Sequence, residues 1–515
     1  MEAKANTEKQ RGNWVKSLLP FYLFTFLPFF VAVLLFFGLA YPHHLHYQEQ
    51  YQLFLFDSTY MWEIVRQPGG IADLLGRFCT QFFLFAWVGA LIIALLLSAV
   101  QLLTFRLFTL HSSLFTLHSS LSTLHSSLFA LPFSYGLSFV PSFLLWLFLL
   151  DENALLGGVW AVLLTLLTAW IIVKLSHGWT RRILLIAAIP LLYILVGPVC
   201  LPIPIDGLWH GIHYHRYPTL FPWLLWGAAL SVFVSVFAVH AFRCFKSGSR
   251  FLRPFGSKRP EVERFTLHSS LFTFLLVAII MGSLVWKNAN FKAEKVMQYD
   301  FMARHQQWNR ILETINSEKP NNQIGVTVQN LALAMNGMLL EQMFNYNQNG
   351  IAGLLPDVKE DATSPLPTAE AFYLLGMINV AQRTVFEAQE AILDFQKSAR
   401  CYKRLAQTNL INGQYEVARK YLSALQKTLF YREWANETLP LLGNEKAISE
   451  HPEYGRLRQW VYKEDFYFSD HVTPEMLESL YRSNTDNHIA YQYLLAYYML
   501  TGDRESFNQF MSNKQ

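Results

Sequence analysis

The sequence predicts an all-α protein: a polytopic transmembrane helical bundle of about seven spans, followed by a soluble α-solenoid-like helical domain. Three observations point there. Seven windows of roughly 20 residues hold no Asp, Glu, Lys or Arg, and all lie before residue 288. An apolar run of about 18 or more residues is long enough to cross a bilayer as a helix. Beyond these windows the composition is that of a water-soluble chain, with no apolar–polar alternation to mark strands.

The windows are Leu18–Ala40, Phe78–Leu103, Leu131–Leu150, Ala154–Val173, Ile183–Ile205, Tyr217–Phe242 and Phe265–Trp286. They divide the chain into a cytoplasmic tail (1–17), a transmembrane domain (18–287) and a periplasmic helical-repeat domain (288–515). The whole chain is 52% hydrophobic and 15% charged, against about 25% charged in a typical soluble protein. Its net charge of +4 is uneven: residues 1–287 hold 19 Lys and Arg against 11 Asp and Glu, and residues 288–515 hold 22 against 26. The basic excess therefore sits among the spans, where it reports orientation. No basic stripe with interleaved aromatics appears, so nucleic acid is not an expected partner.

Orientation follows from the loops. The tail carries Lys4, Lys9, Arg11 and Lys16 and should stay cytoplasmic. Of the inner loops, 174–182 and 243–264 are basic while 104–130 holds only Arg106. The outer loops 41–77, 151–153 and 206–216 hold, in turn, Arg66 and Arg77, no basic residue, and Arg216, so every inner segment but the first loop is the richer. Seven crossings then place the C-terminal domain outside, in the periplasm of a bacterial inner membrane. The first window could instead be a cleaved signal peptide, as Gly38-Leu39-Ala40 resembles a cleavage site, although its apolar stretch exceeds the usual 7–15 residues. The fifth window carries Pro190, Pro198, Pro202 and Pro204 and should kink near its outer end.

Cys79, Cys200, Cys244 and Cys401 form neither a disulfide framework nor a zinc spacing. No metal site and no cofactor is expected. A Leu-His-Ser-Ser-Leu heptad recurs within the insertion at 105–130 and returns at Leu267–Leu271. His111, His118 and His125 could share one helical face, or the repeat could be an expansion that a loop tolerates.

The second part reads as helix after helix. Tyr402, Leu405, Ala406, Gly413, Tyr415, Ala418, Leu422 and Leu425 resemble the packing positions of a tetratricopeptide repeat. Tyr491, Leu494, Tyr498, Gly502 and Phe507 match a second unit, and Phe372, Leu375, Gly376, Ala388 and Ile392 a looser third. Such an array implies peptide or partner binding on a concave face; a generic helical bundle is the alternative. Residues 349–368 should be a linker.

The predicted outer loops gather six of the 16 histidines: His43, His44 and His46, then His210, His213 and His215. Glu49, Asp57 and Arg66 lie in the first of these loops and Arg216 in the other. Histidines and carboxylates suit general acid–base work, yet aromatic and histidine side chains also rest comfortably at a membrane interface.

This layout resembles membrane glycosyltransferases that use lipid-linked sugars, the C-type enzymes. In them an acidic residue follows the first span, and then a short surface helix. Glu49 follows the first window closely, and Tyr51–Arg66 could form that helix. The resemblance implies Glu49 or Asp57 as base. It also implies His46, Arg66, His210, His213, His215 and Arg216 around a polyprenyl-linked sugar phosphate. The paired Asp-Glu or Asp-Asp of those enzymes is absent, Gln48 standing before Glu49. The stretch His46-Tyr47-Gln48-Glu49-Gln50-Tyr51-Gln52-Leu53-Phe54, together with Gln67-Pro68-Gly69-Gly70, is similar to an uncharacterised family of Bacteroidota inner-membrane proteins. That similarity implies architecture and compartment but no activity. The expected partners are the lipid bilayer and a periplasmic protein or peptide.

Overall fold

The computed structural model describes residues 25–115, 135–175, 223–232, 234, 259–357, 364–392, 396–463 and 472–512. Every regular element among them is helical, and a single isolated bridge joins Asn349 and Ile351. The chain divides into two compact units. One comprises Met1–Gln48 and Met61–Asn290, the other Glu49–Tyr60 and Phe291–Gln515.

Among the described residues of the first unit, three helices are long and apolar enough to cross a membrane: α5 (Ala86–Phe115, apolar over Ala86–Phe108), α7 (Leu156–Leu175) and α9 (Arg259–Asn288, apolar over Leu271–Asn288). A fourth is reached if α1 (Thr25–Ala40) and α2 (Pro42–Glu49), bent by 77°, count as one span. α6 (Val140–Phe148) and α8 (Trp223–Val232) are shorter apolar helices. The window Ile183–Ile205 lies outside the described residues. The window Phe78–Leu103 is not one helix. Its first residues end α4 (Gly70–Thr80), a 3-10 turn follows at Gln81–Leu84, and Phe85 is extended before α5 begins. Gln81 Nε2 donates to the carbonyl of Phe78 at 2.8 Å, so its polar group is satisfied at the break.

The unit is held by close backbone approach and aromatic packing. A Cβ on Gly76 of α4 would come within 2.4 Å of the Gly157 nitrogen on α7, so only glycine lets these helices touch. Phe29, Phe36, Phe143 and Trp146 pack edge-on or stacked, with ring centroids 5.2–6.2 Å apart. Some buried polar groups find backbone partners: Ser142 Oγ donates to Leu97 O at 2.8 Å, and His44 Nε2 lies 2.9 Å from Leu149 O.

The second unit is built largely from helical hairpins. α14 (Pro365–Leu375) pairs with α15 (Ile378–Ala391), α16 (Ala399–Ile411) with α17 (Tyr415–Leu425), and α22 (His488–Thr501) with α23 (Arg504–Ser512). Gly376, Gly413 and Gly502 occupy their turns. Leu405, Ala406, Ala418, Leu422, Leu425, Leu494, Phe372, Leu375 and Ala388 are all buried between helices. The expected linker at 349–368 ends early, because Pro365 takes the first position of α14, where its missing N–H costs nothing.

Candidate functional site

Glu49–Tyr60 is the segment that the sequence alone misplaces. It reads as part of a loop between spans, with a surface helix over Tyr51–Arg66. Instead the helix there is only α3 (Ser58–Val65); before it α2 ends at Glu49, Gln50 and Tyr51 form a turn, and Gln52–Asp57 run without regular structure as a strap that belongs, with Glu49, to the second unit. Two sets of hydrogen bonds set this, one local and one long-range. Asp57 Oδ1 accepts the amides of Thr59 and Tyr60 at 3.0 and 3.1 Å, which starts the helix there. The amides of Leu53 and Phe56 are already spent, each donating at 2.7 Å to Lys397 O and Lys427 O.

The strap's side chains enter a buried network. Asp300 and Arg304 sit four residues apart on α10 (Phe291–Arg304), and Arg400 and Arg404 four apart on α16, so each pair shares a helix face. Ser398 caps α16, accepting from the Cys401 amide, and Gln389 fixes the turn ahead of it by bonding Ser398 N and Gln396 O. Arg400 then forms a bidentate pair with Asp300, at 2.6 and 2.9 Å. It also donates to Gln50 Oε1 at 3.0 Å and Glu370 Oε1 at 3.3 Å. Arg404 pairs with the other oxygen of Glu370 and lies over the Tyr373 ring, 3.7 Å from its centroid.

Glu49 closes the network at its other end. Tyr431 donates to Glu49 Oε1 at 2.8 Å and accepts from Arg304 Nη2 at 2.9 Å. Arg304 Nη1 is 3.9 Å from Glu49 Oε2, an oxygen that accepts no hydrogen bond among the described residues. The Tyr431 backbone is held by Thr428 Oγ1 at 3.2 Å. Burial pushes the Glu49 carboxyl above its ordinary value, against the pull of Arg304, Tyr431 and Arg400. Burial acts the same way on Glu370, but Arg404 and Arg400 outweigh it and hold that carboxyl below its ordinary value. Three guanidiniums thus face three carboxylates, and the cluster is neutral when all are ionised.

Other expected site residues lie elsewhere. Asp57 pairs with Lys427, which lowers its carboxyl. Arg66 is exposed and stands over Trp62, 5.2 Å from the ring centroid. His46 is half-buried on α2 of the first unit. His210, His213, His215 and Arg216 lie outside the described residues. The partners of Glu49 escaped sequence reasoning because Arg304 looks like an ordinary surface charge and Tyr431 like an ordinary packing aromatic. The readable signal was Arg400 standing between Ala399 and Cys401 on a helix whose other marked positions are apolar. Among the described residues, no group of three or more His, Cys, Asp or Glu could hold a metal ion.

No curated protein matches the chain, and neither does any solved structure. A family model does match, over residues 16–515, so nearly the whole chain is covered and both compact units fall within one family. The chain belongs to the DUF6057 family, a family of unknown function.

Proposed function

We propose that this is a multi-pass protein of a bacterial inner membrane, crossing about seven times and presenting a tetratricopeptide-like helical domain in the periplasm to bind a protein or peptide partner. One observation carries the membrane reading. Large exposed apolar side chains crowd the helices of the first unit, among them Leu91 and Leu95 on α5, Ile171 on α7, and Phe272, Ile279 and Trp286 on α9. A water-soluble surface does not present such faces. The three helix hairpins with glycine turns support the repeat reading, and the basic tail supports the orientation. In this reading the first span ends at Ala40, and Glu49–Tyr60 lies beyond it with the periplasmic domain. The test is a reporter that works only in the periplasm, fused after Gln515. Activity is expected; a silent fusion on a stable, membrane-inserted protein overturns the orientation.

A second reading, a transferase using a lipid-linked sugar with Glu49 or Asp57 as base, is favoured by one feature. Glu49 is a buried carboxyl of raised proton affinity with one oxygen free of hydrogen bonds. Against it, both carboxylates are engaged by the chain's own side chains. Unchanged surface glycans in cells carrying Glu49→Gln and Asp57→Asn together, with normal amounts of the protein, would eliminate this reading.

A further inference from the structure

We propose that the surface formed by α16, α17 and the Tyr431 segment, with Arg304 and Arg400 at its floor, is a binding site for a peptide segment bearing a carboxylate, and that the chain's own residues 49–57 occupy it in cis. The strap meets this surface as a peptide ligand does. Its main chain bonds two carbonyls outside helices, Lys397 O and Lys427 O, through amides three residues apart. Leu53 is an apolar anchor packed among Ala399, Ala406, Leu422 and Leu425. Charged or polar anchors stand at both ends: Glu49 and Gln50 on Tyr431 and Arg400, and Asp57 on Lys427.

The receptor side is incomplete without an acid. With the strap withdrawn, Arg304, Arg400 and Arg404 face only Asp300 and Glu370, and Arg304 keeps only Tyr431. A buried surplus positive charge recruits a carboxylate. Glu49 supplies one imperfectly, as its Oε2 stays 3.9 Å from Arg304. A partner segment with a better-placed acid, followed four residues later by an apolar side chain, could compete.

This deepens the partner-binding reading and rests on it for its biological meaning. The test needs neither membrane orientation nor a partner, so the two fail separately. Full-length Leu53→Asp protein in detergent is titrated with a fluorescent synthetic peptide of residues 48–58. Saturable binding is expected, at least about tenfold weaker when the peptide's glutamate is alanine, as one lost charge-assisted bond requires. No saturable binding to folded variant overturns the proposal. If the variant does not fold, hydrogen exchange on the wild type decides. The Leu53 and Phe56 amides should exchange through local opening, well before the amides of α16. Exchange of both only together with α16 overturns it.

Discussion

Glu49 and Glu370 are two buried carboxylates in one network with opposite proton affinities. Glu370 touches two guanidiniums, whereas Glu49 approaches only one, at 3.9 Å. The linkage signs therefore differ. The Glu49 contribution is fully present below its unfolded value and is lost as pH rises through its higher folded value. The Glu370 contribution is present above its unfolded value and is lost as pH falls through its lower folded value. Relative to wild type, Glu49→Gln should therefore compare better above the ordinary carboxylate value of 4.5 than below it. Glu370→Gln should compare best well below 4.5. Denaturant unfolding of each variant across pH checks the pair, and equal pH slopes would contradict the assignment. Of this site, the sequence exposed Glu49 and Asp57 as candidates. It hid Asp300, Arg304, Glu370 and Arg400, because burial is decided by neighbours as many as 350 residues away.

Helix turns show a second kind of legibility. Gly413 was readable as a turn residue from its place in the repeat-like unit, whereas Gly376 belonged only to the looser third match; both adopt positive φ, 76° and 90°. They differ in surroundings that only packing creates. A Cβ at Gly376 would stand 2.9 Å from the Trp460 Cβ, while at Gly413 the nearest atom is an Arg458 nitrogen 3.5 Å away. Gly413→Ala should cost about 1 kcal/mol, the backbone penalty alone. Gly376→Ala should cost clearly more, since Trp460 must also move. Thermal unfolding of the two variants compares them directly; equal losses would mean that the Trp460 contact is easily relieved. Among the apolar helices, the break at Gln81–Phe85 was invisible to a count of charges, because no charged residue lies between Phe78 and Leu103.

The chain passes between its units at three places: after Gln48, after Tyr60 and after Asn290. The second unit is therefore discontinuous in sequence. Residues 291–515 joined to a linked copy of residues 49–60 should unfold at higher denaturant than residues 291–515 alone. The difference should be at least about 2 kcal/mol, the burial of one leucine-sized side chain. Equal midpoints would mean that the strap adds nothing to that unit. The sequence by itself determined the helical character of the described residues, where the apolar windows fall, and that Gly413 turns a hairpin. These follow from local composition and spacing, which act within one or two helical turns. Only the tertiary structure decided that the acidic segment starting at Glu49, the last residue of α2, packs into the second unit. Only there does it meet Arg400 and Tyr431, because pairing buried charges depends on which distant surfaces meet, and no local pattern records that.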